Sequence, residues 1–239
     1  MEYRVCVYSD IGDRPNNEDS AGYCTAGDDL IAVAADGVGG SANGEIASQY
    51  TVSEIIEQAG REQLTTDLLK RTIQQINAGI CEKQKTCGNT MSTVAMLWIH
   101  AADRTAAALN VGDSRIYQFR GGEIMYQSMD HSIAQIAVIT GEITPDEIRT
   151  YPGRNRLIRA LGAEETVGVD CKELDVQPGD AFLLCSDGLW ELVHEDRMLA
   201  YLKESNDPEK WIEKLQAAVA ESDAQNKDNH TAVAIIIEA

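Results

Sequence analysis

Five short segments of this 239-residue chain carry more carboxylate than local structure requires. They are Ser9 to Asp19 (SDIGDRPNNED), Asp36-Gly37-Val38-Gly39-Gly40, Val111-Gly112-Asp113-Ser114-Arg115, Cys185-Ser186-Asp187-Gly188, and Asp228-Asn229. Their shared grammar is an apolar run with an Asp at its end, usually with Gly beside it. Carboxylate oxygens are the ligands that hard divalent cations prefer. A strand gives each carboxylate a rigid mount, and the neighbouring Gly lets the backbone bend and bring up a carbonyl as a further ligand. One Asp-Gly pair alone reads more simply as a turn. Four strand-end aspartates, Asp36, Asp113, Asp187 and Asp228, call for more, because gathered carboxylates repel one another unless a cation neutralises them.

The elements that must position these groups follow from the apolar pattern. The first forty residues read as β-structure, with Tyr3 to Ser9 rich in Val and Tyr and Leu30 to Ala35 running into Asp36. Two helices follow: Glu45 to Ala59, then Glu62 to Cys81 with a 3.6-residue stripe from Leu64 to Ile80, separated by Gly60. Met91 to His100 and Arg104 to Val111 form one hairpin. Arg115 to Arg120 and Glu123 to Ser128 form another around Gly121-Gly122, a connection suited to a primed turn. A short helix is expected at Ser132 to Ile139, and Thr144-Pro145-Asp146-Glu147 reads as a helix start. Strands resume at Lys172 to Val176 and Asp180 to Ser186. Helices follow at Glu195 to Lys203 and Pro208 to Ala220, the latter capped by Asp207. Thr231 to Glu238 closes as a strand. Hairpin-linked strands with helices in pairs argue for an antiparallel α+β fold, and no linker or repeat divides the chain.

Composition narrows the classes. Hydrophobic residues at 44% supply a sizeable core and argue against disorder. The 39 acidic against 20 basic residues, a net charge of -19, argue against a nucleic-acid partner, which would need clustered Lys and Arg. The six cysteines are scattered, with no C-x-x-C pair and no zinc spacing. With no leader and no apolar run long enough to span a bilayer, the chain reads as cytoplasmic with reduced thiols and no membrane partner.

The ordered set R-x-x-N-E-D (Arg14 to Asp19), D-G-x-G-G, G-D-S-R, S-D-G-L-W and D-N-x-T (Asp228 to Thr231) resembles the signature of the type 2C (metal-dependent, PPM) serine/threonine protein phosphatases, bacterial single-domain type. Asp130-His131-Ser132 and Asn155-Arg156-Leu157, running into Arg159-Ala160-Leu161-Gly162, echo it. The resemblance implies an antiparallel β-sandwich flanked on both sides by pairs of α-helices, a four-layer αββα arrangement. It also implies a single catalytic domain over 1–239, with a variable flap at about 132–160. It implies two to three Mn²⁺ or Mg²⁺ ions: Asp36 bridging two of them with the Gly37 carbonyl as a further ligand, Asp187 and Asp228 completing the first site, Asp113 with Asp187 holding a third, and Glu18 and Asp19 acting through water. Arg14 would grip the substrate phosphate, and a metal-bridging water or hydroxide would attack phosphoserine or phosphothreonine directly. The implied partners are phosphorylated proteins and a cognate Ser/Thr kinase, met as a monomer. The alternative is a catalytically weak pseudophosphatase that binds phosphoproteins.

Departures from the pattern touch the proton donor. Val38 and Ser41 stand where many relatives have His, and Met91-Ser92-Thr93-Val94 replaces M-G-T-T, which leaves the general acid unassigned. The flap's basic residues, Arg149, Arg154, Arg156 and Arg159, are read either as a phosphopeptide surface or as solvated charge. No cysteine has Arg six positions on, as cysteine-based phosphatases require, and Walker and H-E-x-x-H motifs are absent.

Overall fold

The computed structural model describes residues 1–38, 43–59 and 64–238. Gly39, Gly40, Ser41, Gly60 and the expected helix start at Glu62 lie outside them. Two antiparallel five-stranded sheets dominate. The first runs β1 (Tyr3–Asp10), β12 (His230–Ile237), β11 (Ala181–Cys185), β8 (Arg115–Arg120) and β9 (Glu123–Gln127). The second runs β10 (Asp170–Asp175), β7 (Thr105–Val111), β6 (Val94–His100), β3 (Asp29–Ala35) and β2 (Ser20–Ala26). A two-residue pair, β4 (Gly37–Val38) with β5 (Met91–Ser92), extends the end of β3.

Both faces of the central strands are covered, so they read as continuous apolar runs rather than alternating ones. In β3, Leu30, Ala32 and Ala34 face the other sheet and meet Phe182, Leu184, Val233 and Ile235. Ile31, Val33 and Ala35 face outward against Ile55 of α1 (Gly44–Ala59) and Ile73, Ile76 and Ile80 of α2 (Thr66–Cys87). In β12, Ala232, Ala234 and Ile236 face Met198 of α5 (Glu195–Ser205) and Trp211, Leu215 and Val219 of α6 (Pro208–Glu221). These three apolar interfaces stack helices, sheet, sheet and helices, the expected four layers.

Local chemistry explains most boundaries, including the ones that differ from expectation. α2 starts at Thr66 because the Thr65 side chain accepts from Leu68 N–H, and it continues to Cys87, a turn and a half past the expected end. The Gly121-Gly122 connection has φ of 60° and 86°, the left-handed pair a type I′ turn needs. Thr144 to Glu147 opens a 3₁₀ turn, Pro145–Thr150, rather than an α-helix; the Glu147 carboxylate accepts from the Thr144 N–H and hydroxyl. Three elements were not singled out by the pattern: β2 and the two-residue β4, both within the expected β-structure of the first forty residues, and the one-turn helix α4 (Asp187–Trp190). The short helix α3 (Ile133–Ile139) is capped by Ser132.

Asp207 caps α6, its Oδ1 accepting from Lys210 N–H at 3.0 Å while its carboxylate pairs with Arg4. Asp207→Ala is expected to lower stability by about 1 kcal/mol, read as a lower urea midpoint at an unchanged m-value.

Candidate active site

Antiparallel pairing brings the four strand-end aspartates to one end of the sandwich. Asp36 follows β3, Asp113 follows β7, Asp187 opens α4 after β11, and Asp228 lies two residues before β12. Cys185 pairs with Ala232, and Ala34 and Val111 flank the start of β6 at Ala95 and Val94, so these ends coincide. They open into a cleft of about 620 Å³ lined by Arg14, Glu18, Asp36, Gly37, Val38, Asp113, Asp187 and Asp228, with Asn16, Asn155, Leu157 and Asn229 among the remaining walls. Asp19 lies beneath, 6% exposed.

Each carboxylate is mounted by backbone contacts. Asp36 N–H donates to the Thr93 hydroxyl at 2.9 Å, and Thr93 N–H returns to the Asp36 carbonyl at 2.8 Å. Gly37 N–H donates to the Glu18 carbonyl at 3.0 Å, and a Cβ on Gly37 would stand 2.4 Å from the Gly44 backbone, so only glycine fits. A Cβ on Gly188 would lie 2.1 Å from the Asn229 carbonyl oxygen, which explains how α4 packs directly on the Asp228 turn. Asn229 ties this turn to the first loop: its Oδ1 accepts from Glu18 N–H at 2.8 Å, and its Nδ2 donates to the carbonyls of Ile11 and Asn16. Thr93 and Asn229 were legible only as parts of motifs, since their work is done through backbone partners distant in sequence.

The electrostatics are those of an uncompensated anionic site. Burial, and then repulsion from Asp19, Asp187, Asp113 and Asp228, hold Asp36 well above the usual carboxylate range. Burial followed by Asp113, Glu191 and Asp228 does the same to Asp187. Burial and then Asp130 push Asp113 up to about 7, with Arg115 opposing. Asp19 is raised to about 6 by burial, although the Ser186 hydroxyl donates to its Oδ2 at 2.6 Å; its Oδ1 is buried without a donor. Glu18 is raised by burial and Glu45, against a hydrogen bond from Gly44 N–H. Arg14 Nη2 takes Asp228 Oδ2 at 2.6 Å. Among the described residues no three acidic, thiol or imidazole side chains close on one point. The all-oxygen donor set, the orphaned Asp19 oxygen and the mutual repulsion nonetheless fit hard divalent cations.

Three of the four flap arginines are ion-paired. Arg149 Nη2 pairs with Glu195 at 2.7 Å, Arg154 makes a two-pronged pair with Glu191 at 2.6 and 3.0 Å, and Arg159 meets Asp170 at 2.7 Å. Arg156 alone of the four keeps an exposed side chain. His131 has a structural role: its Nδ1 accepts from Gly112 N–H at 3.0 Å and its Nε2 faces Asp170 at 3.2 Å, while burial lowers its pKa.

A family model described as protein phosphatase 2C matches residues 8–226. The chain belongs to the protein phosphatase 2C family. Within it, a serine/threonine phosphatase, stp, of Listeria monocytogenes is 36% identical over 202 residues, spanning 80% of this chain and 79% of its own. The crystal structure of the serine/threonine phosphatase Stp1 from Staphylococcus aureus superposes with a TM-score of 0.90 at 27% identity, covering 100% of this chain and 96% of its own. The catalytic domain of the phosphatase PstP, solved in complex with two manganese ions, gives 0.79 at 28% identity and covers 99% of each chain. This protein phosphatase 2C chain is accordingly a PPM-type serine/threonine protein phosphatase of the bacterial kind. No helix among its described residues is long and apolar enough to cross a membrane.

Proposed function

We propose that residues 1–239 act as one catalytic domain that hydrolyses phosphoserine and phosphothreonine in protein substrates, opposing a Ser/Thr protein kinase in the cytoplasm. The observation that carries this reading is the convergence of Asp36, Asp113, Asp187 and Asp228 in one cleft, with Arg14 on its wall and paired to Asp228. Two to three Mn²⁺ or Mg²⁺ ions would be held by these four groups and the Gly37 carbonyl, with Glu18 and Asp19 acting through water. When bound, such ions supply a water acidic enough to ionise near neutral pH for direct attack on phosphorus. Asp36, which feels Asp19, Asp187, Asp113 and Asp228 together, would be the carboxylate that serves more than one of these ions.

Arg14 is half-exposed at the cleft mouth, and its planar guanidinium suits two equatorial phosphate oxygens. Its bond to Asp228 holds it at the cleft mouth. Among the described residues lining the cleft there is no Ser, Thr, Cys or His, and with its carboxylates committed to cations the reading is direct attack by water without a phosphoenzyme. Val38 lines the cleft but has no proton to give. The flap, about 132–160, contributes Asn155 and Leu157 to the cleft wall and is the part suited to contact residues flanking the phosphate.

The test is hydrolysis of p-nitrophenyl phosphate and a phosphothreonine peptide with Mn²⁺, then with EDTA. Turnover with Mn²⁺ that EDTA removes is expected. Full turnover in EDTA would sink the cation reading, and none with Mn²⁺ or Mg²⁺ would favour a phosphoprotein-binding module. Arg14→Ala is expected to lower kcat/KM by about 10²-fold, mainly through KM, with Arg14→Lys restoring only part of it.

A further inference from the structure

Beneath the cleft lies a buried charged cluster that the mechanism above does not use. Arg115, 2% exposed, donates from Nε and Nη2 to the two oxygens of Asp130 at 2.9 and 2.7 Å. Its guanidinium stacks 3.5 Å from the centre of the Trp190 ring. One oxygen of Glu195 accepts from the Tyr117 hydroxyl at 2.9 Å and from Arg115 Nη1 at 3.3 Å. The other accepts from Arg149 Nη2 at 2.7 Å, and Arg149 Nε donates to the Trp190 carbonyl at 3.0 Å. Trp190 in turn donates its indole N–H to the backbone carbonyl of Asp113 at 2.9 Å.

We infer that Arg149 is a positioning residue: it anchors the flap's 3₁₀ turn on Glu195 and Trp190, and through Trp190 the seating of the flap and the placement of Asp113 form one unit. Trp190 is the shared part. The residue is 2% exposed, Arg115 lies on the face of its indole, Arg149 bonds its backbone carbonyl, and its one indole N–H is spent on Asp113. Glu195 joins the two guanidiniums, one on a core strand and one on the flap, with one oxygen each. Ile148, 4% exposed beside Arg149, packs into the core under α5 and α6, so the turn has an apolar footing as well as the polar one. Removing Arg149 would leave that footing but free the Trp190 carbonyl and one oxygen of Glu195. A lysine could replace one of the two bonds but not both. Outer residues of this kind commonly set ligand geometry for groups they never touch.

The consequence for cation binding at Asp113 rests on the reading in the preceding section; the structural coupling does not. Amide hydrogen exchange in metal-free protein tests the coupling directly, comparing the unsubstituted chain with Arg149→Leu, Arg149→Lys and Glu195→Gln. Faster exchange is expected in Arg149→Leu and Glu195→Gln both across 140–156 and at 111–115, with Arg149→Lys intermediate. A rise confined to the flap, or no rise, would overturn the inference. Calorimetric Mn²⁺ titration then reads the consequence: the weakest site of Arg149→Leu is expected to loosen about tenfold, with tighter sites unchanged. Equal isotherms would overturn that consequence, whereas absence of Mn²⁺ uptake by the unsubstituted chain would instead count against the cation reading.

Discussion

Asp36→Asn is expected to lower turnover of both p-nitrophenyl phosphate and a phosphothreonine peptide by about 10³-fold or more, equivalent to about 4 kcal/mol of transition-state stabilisation. The same substitution is expected to stabilise the metal-free protein by about 1–2 kcal/mol. Both follow from one feature. Asp36 is a carboxylate on which burial and four neighbouring aspartates act together, which makes it a costly charge in the metal-free cleft and a useful one to a cation. Asn keeps the shape and the backbone bonds to Thr93 while removing the charge. Thermal unfolding in EDTA and in Mn²⁺ gives the second readout: the Tm of Asp36→Asn should rise in EDTA, and its increase on adding Mn²⁺ should shrink. Full activity in this variant would remove Asp36 from its central position. Lost activity with an undiminished Mn²⁺ response would show that the residue serves something other than cation binding.

What could be read from the chain, and what could not, divides along the distance between partners. The strand-end aspartates were legible because each has an apolar run near it and Asp36, Asp113 and Asp187 have an adjacent glycine, whose lack of Cβ is required at Gly37 and Gly188. The antiparallel α+β class was legible because α2 and α6 carry helical stripes and the strands come in hairpins; the four layers were implied by the family resemblance. β2 was not singled out, because Ala21, Gly22, Cys24 and Ala26 make a weak apolar signal whose strand character comes from pairing with β3. α4 is a single turn, too short for periodicity to show. The flap arginines were ambiguous for a plainer reason. The partner of Arg149 lies 46 residues away and that of Arg154 lies 37 away, so nothing nearby told a buried ion pair from a phosphopeptide contact. The same applies to Trp190, whose indole bond to Asp113 spans 77 residues.

The stability of the metal-free protein is expected to fall as pH rises from about 4 towards 8, and the gain from saturating Mn²⁺ to grow over the same range. Unfolded aspartates titrate near pH 4, whereas in the fold Asp19 titrates at about 6 and Asp113 at about 7, with Asp36 and Asp187 also raised, by burial first and by one another second. Between the unfolded and folded values the native state holds protons that the unfolded chain has released. Folding therefore takes up protons, and stability present below pH 4 is lost as pH climbs through 6 and 7. Cations want the ionised forms, so they compete with those protons and bind more tightly as pH rises. At 100-fold excess over its dissociation constant one ion adds about 2.7 kcal/mol, so each bound ion offsets part of the loss. Tm measured at pH 5, 6, 7 and 8 in EDTA and in Mn²⁺ should give two curves that diverge with pH. In Asp36→Asn they should diverge less, because one of the proton-holding groups is gone. Parallel curves in the unsubstituted chain would mean that the cleft carboxylates are already ionised and compensated in the metal-free fold, which would leave the orphaned Asp19 oxygen without an explanation in cation binding.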